Sequence, residues 1–203
     1  MLSQKGGSGK TTLSINLAIA GTLQGRSVVV IDLDPQQSAA RWARLRAGDN
    51  PVIVSGHGPN VAELVERARA GGADLVIIDT APKSESAALA AARLADVVVI
   101  PCQPSSLDLD AIADSVNIVQ LARRPAFFVL NSCRASSTLA DEAAGALSDY
   151  GLAIAPVRIG SRVAFVKSLA EGKGVLEHEP GCAAADEVTR LYTYTMQQGD
   201  RTT

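Results

Sequence analysis

Aromatic residues are scarce in this chain of 203 residues: one Trp, three Phe and three Tyr make up 3% of it. Trp42, Phe127, Phe128 and Phe165 are too few and too scattered for a base-stacking platform, so single-stranded nucleic acid has no stacking surface here. They read as packing residues. Cysteine is equally sparse. Cys102, Cys133 and Cys182 are odd in number and far apart, with no CxxC or His-rich spacing, which speaks against a disulfide framework, a zinc site or an iron–sulfur cluster and fits a reducing cytoplasm. Excess charge is missing too: 19 Lys and Arg face 21 Asp and Glu, a formal net charge of −2, so any contact with nucleic acid must come from a local patch. No apolar run approaches the roughly 18 residues of a membrane span, and no basic segment leads into one. A soluble, unexported, cytoplasmic protein is expected.

Repeats and low-complexity linkers are also lacking, and 203 residues at 47% hydrophobic content suit one substantial core. One domain over residues 1–196 is expected, followed by a polar tail, 197–203, that frays. Within the domain, short β-branched runs alternate with Ala- and Leu-rich stretches. Strands are predicted at residues 27–32, 51–55, 74–79, 96–101, 126–131 and 153–159. Helices are predicted at 11–24, 38–47, 60–70, 84–94, 107–121, 138–150, 162–170 and 182–196. Runs such as Val28-Val29-Val30-Ile31 and Val97-Val98-Val99-Ile100 are apolar without alternation, the pattern of strands buried on both faces. The fold class that follows is α/β, a doubly wound, mostly parallel sheet flanked by helices.

Lys5-Gly6-Gly7-Ser8-Gly9-Lys10-Thr11-Thr12 carries the chemistry. Glycines at 6, 7 and 9 let successive backbone N–H groups turn inward, and a helix starting near Lys10 adds its positive end to the same anion site. The guest is polyphosphate. Lys10 would sit between the terminal phosphates, Ser8 and Thr12 would line the cradle, and the Thr11 hydroxyl would ligate Mg²⁺. The common G-x-x-x-x-G-K-[ST] pattern would need Gly at position 4, which is Gln, so the loop is the deviant K-G-G-x-G-K-[ST] kind. Two predicted strands end in acids, Asp32-Leu33-Asp34 and Asp79-Thr80, at the carboxyl edge where ligands of open α/β sheets sit. Asp79 is the candidate Walker B carboxylate, Asp32 a second metal-shell candidate, and Asp34 a candidate to orient the attacking water. ATP and Mg²⁺ are the expected cofactors. A P-loop normally hangs from a strand, yet only Met1-Leu2-Ser3-Gln4 precedes Lys5, so the first strand is mostly missing: either the sequence begins late, or the strand is truncated and leaves a gap or a weakly filled slot mid-sheet.

With QKGGSGKTT, VVVIDLDPQQSAARW and DLVIIDTAP in that order, the sequence resembles the ParA/MinD class of deviant-Walker ATPases, and among them the small ParF-like partition ATPases. The resemblance continues through Pro104–Asp108, Val129–Asn131, Arg162–Ala164 and Gly172–Val175. It implies that Lys5 reaches a partner subunit's nucleotide, making a homodimer of the ATP-bound form, that Asp34 is critical for hydrolysis, and that Asn131 contacts adenine. It further implies slow ATPase activity stimulated by a ParB-like or other partner, non-specific binding of double-stranded DNA, nucleoid association, and a role in plasmid or chromosome partition. Arg158, Arg162, Lys167 and Lys173 are the candidate DNA contacts. Alternatives are a positioning ATPase for protein cargo such as chemoreceptor clusters or microcompartments, a MinD-like regulator, or a metabolic P-loop enzyme. A membrane-cycling role is disfavoured because the C-terminal stretch lacks a basic amphipathic helix.

Overall fold

The computed structural model describes residues 1–135 and 138–200. In chain order the elements are α1 (Lys10–Leu23), β1 (Val28–Asp32), α2 (Ser38–Ala43), β2 (Val52–Ser55), α3 (Val61–Ala70), β3 (Leu75–Asp79), α4 (Glu85–Leu94), β4 (Val98–Cys102), α5 (Leu109–Ala122), β5 (Ala126–Leu130), α6 (Leu139–Ser148), β6 (Ala153–Ile154), α7 (Val163–Ala170), α8 (Val175–His178) and α9 (Ala183–Asp200). All strand pairings are parallel, in two half-sheets ordered β2-β1-β3 and β4-β5-β6.

Alternation of side chains along each strand sends neighbours to opposite layers. Phe128 and Ile100 pack with Ala88, Val116 and Leu147 from α4, α5 and α6. Phe127 and Val99 turn the other way, against Leu13 and Leu17 of α1, Phe165 of α7 and Val188 and Leu191 of α9. Ile31 meets Val61, Val65 and Ala91 from α3 and α4, while Val28 and Val30 lie under Ala18 of α1. Helices cover both faces of each half-sheet, which is why these strands carry no polar face.

Ahead of the phosphate loop, Met1 and Leu2 form a splice between the two half-sheets. Met1 bonds to β3 through its own nitrogen, 2.7 Å from the Ile78 oxygen, and through its oxygen, which accepts the Thr80 N–H at 3.3 Å. Leu2 then donates to the Val99 oxygen of β4 at 3.0 Å. Two residues thus join the half-sheets at their carboxyl end, where the phosphate loop begins.

Three expectations are corrected in detail. The strand expected over 153–159 is regular only at Ala153–Ile154; Pro156 withholds a ladder donor, although Ala155 and Ile159 still donate to Phe128 and Leu130 of β5. The helix expected over 38–47 stops at Ala43, with Arg46 turned to grip the Asn50 oxygen and, by two bonds of 2.9 Å, the Glu177 carboxylate. The tail expected to fray from 197 is helical through Asp200 as the end of α9; residues 201–203 lie outside the described set. Among the described residues no helix is long and apolar enough to cross a membrane.

Candidate nucleotide site

The loop from Lys5 to Gly9 leaves the splice at the carboxyl ends of β3 and β4 and enters α1. Gly9 caps that helix in the left-handed region, φ 93°, and Gly7 has φ 75°. At Gly9 space reinforces conformation, since a Cβ would collide with the Asn131 side-chain amide. Gly9→Ala should therefore cost about 1–3 kcal/mol and lower the melting temperature by about 5 °C, read by circular dichroism. An unchanged melt would show that the loop adapts freely.

At the head of α1 the Thr11 hydroxyl donates to Asp79 Oδ2 at 2.6 Å. Asp79 is fully buried at the end of β3, and its other oxygen, Oδ1, has no partner among the described residues. An orphaned, buried carboxylate oxygen beside a threonine hydroxyl at a helix N-terminus fits the water shell of a hard cation. Among the described residues no three His, Cys, Asp or Glu side chains converge; Thr11 and Asp79 are the side chains that would hold a metal at this point, with phosphate and water completing the shell. Burial raises the Asp79 pKa to about 6, against the lowering effect of the Thr11 hydrogen bond and the Met1 ammonium.

Asp79 therefore carries a pH signature. Between its ordinary value of 3.8 and about 6 the folded protein holds a proton that the unfolded chain releases, so this group's contribution to stability falls as pH rises through that window. Asp79→Asn should remove that component of the pH profile of the nucleotide-free protein. Superimposable profiles of the denaturation midpoint for wild type and variant would contradict the assignment.

Lys10 is almost fully buried, with Nζ 3.2 Å from the Lys5 carbonyl oxygen; burial lowers its pKa, and the carboxylates of Asp79 and Asp34 oppose that. A desolvated ammonium held by one carbonyl is primed for an anion. Asp32 is buried and already engaged: Oδ1 accepts from Asp34 N at 3.1 Å, and Oδ2 from Ala39 N at 3.1 Å and Ala40 N at 3.2 Å. It anchors the turn that carries Asp34 and caps the start of α2. Asp34 is partly exposed and bonds the Gln36 N–H at 2.9 Å, closing an Asx turn beside the loop. Lys5 Nζ stands 3.9 Å from Asp108 Oδ2 at the head of α5. Ser8 is buried, and its hydroxyl has no partner among the described residues. Thr12, in the first turn of α1, gives its carbonyl to Asn16 Nδ2 at 2.8 Å.

Asn131 points its amide at the loop, not outward: Nδ2 donates to the Ser8 oxygen at 2.8 Å from a buried position. Two supports were invisible in the sequence. Gln103, after β4, donates to the Gly7 oxygen at 2.7 Å, and Asn16 Oδ1 accepts the Val175 N–H at 2.9 Å, tying α1 to α8. Both bridge long stretches of chain with a single unmarked amide.

The late basic cluster is not brought together as bare charge. Arg158 pairs with Asp141 at 2.6 Å, Arg162 with Glu187 at 2.5 Å and Lys173 with Glu171 at 3.1 Å, while Lys167 is exposed on α7. Three of the four cations thus have a carboxylate at hand, which weakens the patch as an anion-binding surface.

A glycine loop between a strand end and a helix, a buried lysine, and a Thr–Asp pair with one free oxygen define a P-loop nucleotide site. Residues 1–175 match the family described as the CobQ/CobB/MinD/ParA nucleotide binding domain, and the chain belongs to that family. It is 34% identical over 181 residues to the "Maintenance of carboxysome distribution protein A" of Gloeobacter kilaueensis, covering 87% of this chain and 82% of the relative. It is 26% identical over 233 residues to the chromosome-partitioning ATPase Soj of Thermus thermophilus, covering 97% and 94%. The fold matches that of the septum site-determining protein MinD of Pyrococcus horikoshii, solved with Mg-ADP, at a TM-score of 0.76 and 16% identity over 100% of this chain and 96% of the other. The protein is thus a nucleotide-binding ATPase of the ParA/MinD class.

Proposed function

We propose that this protein is a ParA-type positioning ATPase: Mg-ATP joins two subunits, the dimer holds non-specific double-stranded DNA, and a partner protein stimulates slow hydrolysis that releases it. The observation that carries this reading is the Lys5–Gly9 loop with Thr11, Asp79 and Lys10 gathered at its mouth, headed by a second lysine whose ammonium stands 3.9 Å from Asp108. Backbone N–H groups of Gly6 to Gly9 and the N-terminus of α1 receive the phosphates, and Lys10 supplies a buried positive charge. Thr11 and Asp79 would hold the metal through its water shell, and Asp32, which fixes the turn carrying Asp34, would leave Asp34 to orient the attacking water. A Mg²⁺ held there would supply charge neutralisation for the terminal phosphoryl group. Lys5, 30% exposed on its side chain, would serve a partner subunit's phosphates, which would make nucleotide binding and dimerisation linked equilibria. Asn131 steadies the loop from behind, and contact with adenine is a second role proposed for it.

For the cargo, likeness to Soj supports a chromosome or plasmid, and the higher identity to the carboxysome-distribution protein supports a protein assembly; the latter is the better supported. The DNA surface is proposed on Arg158, Arg162, Lys167 and Lys173, with their carboxylate partners giving way to phosphate. DNA retention measured without nucleotide, with ADP and with ATP should rise only with ATP, and should fall steeply with salt. Equal retention in all three states would sink the switch.

A further inference from the structure

Three carbonyl oxygens of the phosphate loop are each held by a side chain. Lys10 Nζ lies 3.2 Å from Lys5 O, Gln103 Nε2 donates to Gly7 O at 2.7 Å, and Asn131 Nδ2 donates to Ser8 O at 2.8 Å. Across a trans peptide the C=O of one residue and the N–H of the next point in opposite directions. Holding Gly7 O therefore turns the N–H of Ser8 to the far side of their shared peptide, and holding Ser8 O does the same for the N–H of Gly9. With left-handed glycines at 7 and 9, φ 75° and 93°, the backbone itself does little to fix these peptides, so their direction is set from outside the loop.

We propose that Gln103 is a positioning residue for phosphate binding: its carboxamide clamps the Gly7 carbonyl and so keeps the Ser8 N–H turned toward the polyphosphate before a nucleotide arrives. This rests on the nucleotide site proposed above. Gly7 O only accepts, so the atom facing it is the amide nitrogen of Gln103. The same nitrogen lies 3.5 Å from the Ser132 hydroxyl, a longer second contact that steadies the carboxamide from the β5 side. Ser132 is itself left-handed, φ 55°, which brings the chain leaving β5 back toward the loop.

The clamp stands on a firm base. Gln103 directly follows β4, which is buried along its whole length, and Asn131 directly follows β5. Asn131 N donates to Cys102 O at 2.8 Å, so the two amide-bearing residues leave neighbouring strand ends in a fixed relation. A flexible glycine loop is thus referenced to the most rigid part of the sheet. Donors set in place beforehand need no reorganisation when the anion enters, whereas an unclamped Gly7–Ser8 peptide samples both directions and binds phosphate in one of them only. Lys10 differs in kind: it would leave Lys5 O to meet phosphate, while the Gln103 nitrogen is spent on Gly7 O and acts through the loop.

Two variants of the full chain test this. Gln103→Met keeps the length of the side chain and removes the donor; Gln103→Glu keeps its shape and turns an acceptor on the carbonyl. Both should weaken Mg-ATP binding by about tenfold, read by calorimetric titration. In the nucleotide-free protein, NMR relaxation should show the order parameter of the Ser8 amide falling from about 0.85 in wild type to below about 0.6 in either variant. Mg-ATP affinity within about threefold of wild type in either variant would overturn the proposal. So would weakened binding with the Ser8 amide as rigid as in wild type, because Gln103 would then act on the ligand directly and not through the loop. The Ser8 readout needs no nucleotide, so a wild-type protein that failed to bind Mg-ATP would count against the proposed function and leave the clamp to be judged on Ser8.

Discussion

Lys10→Ala is expected to weaken ATP binding by roughly 100-fold, the scale of losing a buried, charge-assisted contact to phosphate. The loss is expected without unfolding. In the nucleotide-free protein Lys10 is a desolvated ammonium with a single carbonyl contact at 3.2 Å, and its pKa is lowered by burial, so replacing it removes an unfavourable buried charge. Calorimetric titration with ATP should show the affinity collapse while the melting temperature without nucleotide stays the same or rises. A variant that binds ATP within about threefold of wild type would remove Lys10 from the cradle. One that loses binding only because it melts would recast it as a structural residue.

Asp34→Ala is expected to leave ATP affinity nearly unchanged and to cut turnover by about 100-fold or more, the usual scale for removing a group that positions or deprotonates a nucleophile. Its carboxylate also closes the turn to Gln36, so Ala alone would not separate chemistry from turn geometry. Asp34→Asn keeps an oxygen for that bond and drops the charge. If the charge matters, both variants lose turnover; if only the turn matters, Asn restores it. Normal phosphate release by Asp34→Ala at saturating Mg-ATP would contradict the assignment outright.

The parts of the site legible in the sequence are those whose chemistry is local. A glycine loop running into an apolar-periodic helix, and an acid closing an all-apolar strand, are patterns of adjacent residues, and the structure brings Thr11 and Asp79 to 2.6 Å as that pattern implies. Asp32 was harder to read. Whether a strand-end carboxylate points to a metal or to the next helix depends on the path of the following residues, and here the return of Ala39 and Ala40 claims one of its oxygens. The supports at Gln103 and Asn16 had no signal, because each is an ordinary amide meeting a backbone atom far away in sequence. The charged partners of Arg158 and Arg162 came from α6 and α9, so a cluster that looked basic along the chain is largely offset in space.

Strand positions were legible through unbroken β-branched runs, and the edges of elements were less so. Pro156 interrupts the ladder inside a run that otherwise reads as strand, and α9 continues through residues whose polarity alone suggested a loose end. The short segment before the loop was recognisable as too short for a strand, but its role as a two-residue splice required the bonds to Ile78, Thr80 and Val99 to be seen.

The central claim is that nucleotide controls association through Lys5. Sedimentation of the 21.0 kDa chain with no nucleotide, with Mg-ADP and with a non-hydrolysable Mg-ATP analogue tests it directly. The account predicts monomer in the first two states, dimer in the third, and a Lys5→Ala variant that binds the analogue yet remains monomeric. A single sedimentation coefficient across all three states, or a Lys5→Ala protein that dimerises as readily as wild type, would contradict it.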